Sequence, residues 1–281
     1  MYDQGNLDDS TVLLVMIDLL APCYCLLSLT AIASQYLPFL ATLASHGKTW
    51  KMSSQWWWIP KRYFAHFYMI GLLSFLTIYF VLDYSNPMSS AQSLAVVHLL
   101  RRFGECCLVH RSRSTSRMHL AGYFLGIGHY ILLPFVFARR PIGKSSWVAV
   151  VLTVFNLWMQ FEQCQHHVLL AQLRVVNGPS YSLPPAKRWF FFILCPHYLA
   201  EILIYFSWAL LLQLQGDVAR NGGHQTDTPW NDFLHITTKH RHWLLFLWVA
   251  TNLSISSRKN YVWYKSRSKN LTQAALIPYI F

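Results

Sequence analysis

The chain has 281 residues, of which 54% are hydrophobic, 16% aromatic and only 12% charged. A soluble domain carries about 25% charge, so this balance excludes an ordinary water-soluble enzyme and, with several apolar runs of about 20 residues, indicates a polytopic membrane protein. The formal net charge of +12 does not signal nucleic acid, because the basic residues are spread between apolar runs.

In chain order, Met1 to Ser10 carries Asp3, Asp8 and Asp9 and no basic residue. That is the wrong start for a cleaved signal peptide, so the first apolar run is expected to stay as a helix. Seven apolar segments follow, at about 11–43, 63–83, 91–109, 119–138, 146–172, 189–214 and 233–256. Pro22 and Pro38 mark a kink or an interfacial piece in the first. Strand alternation is absent. The expectation is an all-α bundle of about seven transmembrane helices, a single membrane domain over 1–281 with no linker.

The connections after the first, third and fifth segments, with the tail, hold Lys48, Lys51, Lys61, Arg62, Arg111, Arg113, Arg117, Lys187, Arg188, Lys265, Arg267 and Lys269, and no acid. The other side holds Asp83, Asp217, Asp227 and Asp232. Basic loops stay cytosolic, so the N-terminus is expected to be lumenal and the C-terminus cytosolic. Two sequons, at Asn252 and Asn270, fall in a span and on the cytosolic side, so neither is expected to carry sugar.

Six cysteines form no C-x-x-C pair and read as small buried hydrophobes. Arg101, Arg102, Arg111 and Arg113 crowd one helix end. Attraction to anionic lipid explains basic loops in general, but such a cluster also suits a polyanion, because guanidinium grips phosphate bidentately. Glu162 and His166 share a helical face, yet repeated ligand sets are missing and no metal centre is expected. No G-x-G-x-x-G, P-loop or G-x-S-x-G is present.

The run Cys195-Pro-His-Tyr-Leu-Ala-Glu201 puts an imidazole and a carboxylate on one face of an apolar helix. An ionisable group there is costly and marks a functional site or a polar clamp. Together with Glu105, Glu162, the histidines and a basic mouth, it fits an enzyme taking a charged cofactor from the cytosol and an apolar substrate from the bilayer. A non-catalytic lipid transporter is the alternative from another class.

Six stretches carry a resemblance: Ile59 to Tyr68, His98 to Cys106, Gln165 to Arg174, Tyr181 to Pro184, Cys195 to Ile202, and Ala275 to Phe281. In this order they resemble the steroid 5-alpha-reductase family, and within it the polyprenol (polyprenal) reductase branch. The resemblance implies a seven-helix endoplasmic-reticulum enzyme. Residues 1–90 would form the substrate side and 91–281 the NADPH-binding region. It implies reduction of a polyprenyl double bond conjugated to a carbonyl, feeding dolichol synthesis and protein N-glycosylation. A steroid enone reductase of the same family is the nearest alternative.

Residue by residue, the resemblance places Arg102, Arg111 and Arg113 at the phosphates and adenosine end of NADPH. Arg174, Tyr181, His197 and Glu201 would line the cofactor, with Arg258, Asn260 and Tyr264 as further candidates. The steroid branch grips its carbonyl with a glutamate and a tyrosine; here the tyrosine position is Leu99, and His46 to Arg62 holds no carboxylate. The proton donor is left open among His66, Tyr68, His98 and Glu105.

Overall fold

The computed structural model describes residues 22–33, 36, 57–83, 87–109, 116–138, 146–176, 183–184, 186–215, 236–268 and 271–277. Arg111, Arg113 and Tyr181 lie outside the described residues, as do most of the first apolar segment and the 216–235 connection.

Helix α1 spans Pro22–Ala33. Strand β1 (Trp58–Pro60) leads through a 3-10 turn into α2 (Phe64–Ile78). Helix α3 (Ser90–Gly104) passes into a π-helical turn, Glu105–Val109. Then come β2 (Arg117–His119), α4 (Leu120–Phe137), α5 (Trp147–Val176), α6 (Pro196–Gln215) and α7 (Arg241–Lys265). The described chain is mostly helical, as expected. Three of its helical stretches are long and apolar enough to cross a membrane: Lys61–Val81, Leu120–Phe137 and Pro196–Gln215. Helices α3, α5 and α7 fall short of that criterion because they carry polar residues, several of which are buried.

Local chemistry sets the helix ends. Ser89 and Gln92 form a reciprocal capping box on α3: Ser89 Oγ accepts from Gln92 N at 3.3 Å, and Gln92 Oε1 from Ser89 N at 2.8 Å. His119 caps α4, its Nδ1 accepting from Ala121 N at 3.1 Å. Burial lowers the His119 pKa, which favours the neutral ring that can accept this bond. At the other end of α4, buried Arg241 donates to the Val136 and Ala138 carbonyls and Gln92 donates to that of Phe137. These donors satisfy carbonyls that a helix end leaves unpaired.

Several boundaries differ from expectation. The 189–214 segment is not one helix: residues 188–195 form a strap, and α6 starts at Pro196. Proline fits the first helical position but turns its preceding residue away from α geometry. Arg188 within the strap is left-handed, at φ 53°. Helix α7 runs on to Lys265. A two-stranded antiparallel ribbon, with Ile59 opposite Met118, corrects the expectation of no strands; three-residue strands are too short to show alternation. None of the six cysteines forms a disulfide, but only Cys195 is buried and Cys107 is exposed, which corrects their reading as buried hydrophobes.

The core lies where α2 packs on α4 and α3, and α6 on α5 and α7. The closest approach uses glycines. A Cβ on Gly126 would sit 2.7 Å from Phe67 Cζ, and one on Gly71 2.9 Å from Tyr130 Cδ1. Small residues let membrane helices approach in this way. Gly128, by contrast, has no such neighbour within 4 Å.

Gly126→Ala is expected to lower stability, because forcing a methyl against Phe67 costs about 1–3 kcal/mol and outweighs a helix-propensity gain of at most about 1 kcal/mol. Gly128→Ala should hold or raise it. Thermal unfolding midpoints in detergent check this; a Gly126→Ala midpoint at or above wild type would contradict the packing.

Candidate functional site

Helix α3 presents His98, Arg101, Arg102 and Glu105 at i, i+3, i+4 and i+7, which is one face. Helix α5 presents Asn156, Gln160, Gln163 and His167 in a matching stripe, and α6 presents Glu201 and Tyr205 one turn apart. Tyr68 comes from α2. These side chains are mostly buried, so the polar faces meet inside the bundle.

Glu105 is the centre. Its Oε1 pairs with Arg101 and its Oε2 with Arg102. His167 Nδ1 lies 2.7 Å from Glu105 Oε2 and 2.7 Å from Arg102 Nη1. Arg101 also reaches Gln163 Oε1 and, at 3.4 Å, Gln160 Oε1. Arg102 forks onto Tyr68, donating from Nη2 at 2.8 Å and Nε at 3.2 Å to the phenol oxygen, with its guanidinium 4.9 Å from the ring centroid. The Tyr68 ring stands edge-on to that of Tyr130, with centroids 5.1 Å apart.

A second half adjoins it. Gln163 donates its amide to Glu201 Oε2, and His98 Nε2 lies 3.3 Å from Glu201 Oε1, at ion-pair distance but off the line of a hydrogen bond. Deeper still, Gln160 donates to Asn156 Oδ1 at 2.7 Å, and Asn156 to Ser207 Oγ at 2.7 Å. Two guanidiniums and two carboxylates balance if both histidines are neutral, so the network can be buried at low net charge.

The structure thus brings together Tyr68, His98, Arg102, Glu105 and Glu201. Arg101 and Arg102 both turn toward Glu105 and pair with its two oxygens. His197 stands beside this group, its ring 5.5 Å from His167 and its carbonyl accepting from Gln163 at 3.4 Å. His66 faces elsewhere: its Nδ1 is 2.9 Å from Tyr123 Oη and its ring stacks on Tyr63. Asn260 donates to Cys195 Sγ at 3.7 Å, and Tyr264 packs against Leu194 and Cys195, so both brace the strap before α6. Arg258 lines a groove between α7 and the α1 side. Arg174 lies in α5, and its side chain is outside the described residues.

Glu162 meets His166 at 3.8 Å but is gripped by Arg188, at 2.5 and 3.2 Å. Among the described residues no group of three metal-type side chains gathers. Gln160 and Gln163 were not among the predicted site residues. The signal for the two glutamines was their spacing with Asn156, about one turn apart along α5.

Gln163 shows that Glu201 accepts from a carboxamide NH2. A nicotinamide carboxamide presents the same group, so the residues here fit a dinucleotide's reactive end.

Residues 115–219 match the family described as 3-oxo-5-alpha-steroid 4-dehydrogenase. The chain is similar to the polyprenal reductase of Saccharomyces cerevisiae, 30% identical over 227 residues, covering 79% of this chain and 75% of that one. It is 26% identical to the polyprenal reductase of Xenopus tropicalis, covering 81% and 82%. It is 24% identical to polyprenal reductase 1 of Oryza sativa subsp. indica, covering 79% of each.

Glu105→Gln leaves two arginines short of a buried countercharge. The expected loss is about 3–5 kcal/mol of stability, the cost of breaking a buried ion pair by removing one partner. Unfolding in detergent should show it, and an unchanged midpoint would remove Glu105 from the centre of the network.

Proposed function

The chain belongs to the steroid 5-alpha-reductase family and is a reductase of a carbon–carbon double bond; on that premise we propose that its substrate is a polyprenal and its hydride source NADPH. The product, a dolichal, would feed dolichol synthesis for protein N-glycosylation. We place the enzyme in the endoplasmic-reticulum membrane, with about seven spans, a lumenal N-terminus and a cytosolic C-terminus. Residues 1–90 then serve the substrate side and 91–281 the cofactor side.

The observation that carries the mechanism is the Arg102 fork on Tyr68. When bound, NADPH supplies a hydride for the carbon beta to the carbonyl. Negative charge then develops on the carbonyl oxygen, and a donor placed there stabilises it. Tyr68 is the donor in this reading. Its oxygen accepts two N–H groups from a cation, so its own proton is free to be given and the phenolate left behind is held. Glu105 is an ionised counterion between two guanidiniums and has no proton to give. His98 lies against Glu201 and positions it. Glu201 and Gln163 hold the carboxamide or a ribose hydroxyl, in a dry setting where such bonds count most. Arg102, Arg111 and Arg113 remain candidates for the phosphates and adenosine end, and Arg174 and Tyr181 for lining the cofactor.

An aldehyde suits this chemistry better than the allylic alcohol, which offers no carbonyl to accept charge. Leu99, fully buried at the position of the steroid-branch tyrosine, favours a polyprenyl over a steroid substrate.

The purified chain should oxidise NADPH with polyprenal and yield dolichal by mass spectrometry, with slower or no turnover of a steroid enone. Cofactor oxidation with the steroid alone would reverse the substrate assignment. Tyr68→Phe should lower kcat about 10²- to 10³-fold, the range for losing one oxyanion donor, with little change in KM for NADPH. Glu201→Gln should instead raise KM for NADPH more than it lowers thermal stability. Normal turnover in either variant removes that residue from its role.

A further inference from the structure

A groove of about 350 Å3 lies between the α1 side and α7, away from the Glu105 network. Ile32 and Tyr36 form one wall; Thr251, Ser254, Ile255 and Arg258 form the other. The last four sit at i, i+3, i+4 and i+7 of α7, so hydroxyls, an isoleucine and a guanidinium share one helical face. Around the groove the surface is apolar: Leu26 and Leu29 on α1 and Leu247 on α7 are each half exposed or more. Such a surface belongs against hydrocarbon, so whatever enters the groove comes from the bilayer.

The polar end narrows the choice. Arg258 is exposed at the groove. The nearest charges along its own helix are also basic, Lys259 and Lys265, and no acidic residue lies in α7. Guanidinium with adjacent hydroxyl donors matches the geometry of a phosphoryl group. Basic recesses between membrane helices bind lipid head groups by this chemistry. Tyr36, 81% exposed, is the kind of aromatic that sits at head-group depth. The volume is at the low end for ligand sites, about 300–1,000 Å3, and suits a head group with the start of an acyl chain rather than a dinucleotide.

We infer that this groove is a binding site for an anionic phospholipid, its phosphate on Arg258, Ser254 and Thr251 and one acyl chain along Ile32 and Ile255. The site is separate from the cofactor network, and Arg258 serves lipid rather than nucleotide.

The test titrates phosphatidic acid against the full chain in detergent by native mass spectrometry. Phosphatidylcholine, inorganic phosphate and NADPH serve as competitors, with Arg258→Gln and Arg258→Lys as variants. Wild type should retain phosphatidic acid in preference to phosphatidylcholine. Arg258→Gln should weaken retention about tenfold, the effect of losing one charge-assisted hydrogen bond, and Arg258→Lys should weaken it less. Inorganic phosphate and NADPH should not displace the lipid. Equal retention in the Gln variant, with its melting point unchanged, overturns the site. Displacement by NADPH overturns it too and returns Arg258 to the cofactor, and displacement by inorganic phosphate would mark a plain anion site.

Discussion

A carboxylate held between two guanidiniums inside an apolar bundle constrains everything around it. Glu105, Arg101 and Arg102 occupy consecutive turns of one helix face, where none could be left unpaired in hydrocarbon. Local pairing does not exhaust their donors. Five N–H groups on each arginine must go somewhere, and they reach α5 through Gln160, Gln163 and His167 and α2 through Tyr68. The same interaction that neutralises the charge therefore fixes the mutual rotation of three helices.

Glu201 is tied into this arrangement from α6, through Gln163 and His98. Its position along the membrane normal depends on where α6 begins. The strap before Pro196 is pinned from both sides. Arg188 holds Glu162 on α5, and the tail returns to pair Ala274 with Phe192 and Leu194 while Ser257 on α7 donates to the Ala275 carbonyl. Four segments distant in sequence thus set the height of one carboxylate. Positioning of this kind is what a reaction needing a donor and a cofactor ligand on opposite sides of a small substrate group requires.

Much of this was legible in the residues. Apolar runs located α2, α3, α4 and α5 to within a few positions, and the spacing of His98, Arg102 and Glu105 showed a shared face. Pairing across helices was not legible. Arg102 shows only basic neighbours along the chain, and the tyrosine that takes its fork is 34 positions away. Spacing alone puts Glu105 within reach of Arg101 and Arg102, but its bond to His167 comes from another helix. A continuous apolar run around Pro196 hid the strap. The ribbon of β1 and β2 depends on register between two three-residue stretches, which no periodicity reveals.

The central claim is that Arg102 acts through Tyr68. A double-mutant cycle on kcat tests it most directly, using Tyr68→Phe, Arg102→Lys and the pair, since lysine keeps the charge and loses the fork. The account predicts strong non-additivity, with the double variant no slower than Tyr68→Phe alone. Multiplied losses would show the two residues acting independently and would contradict it.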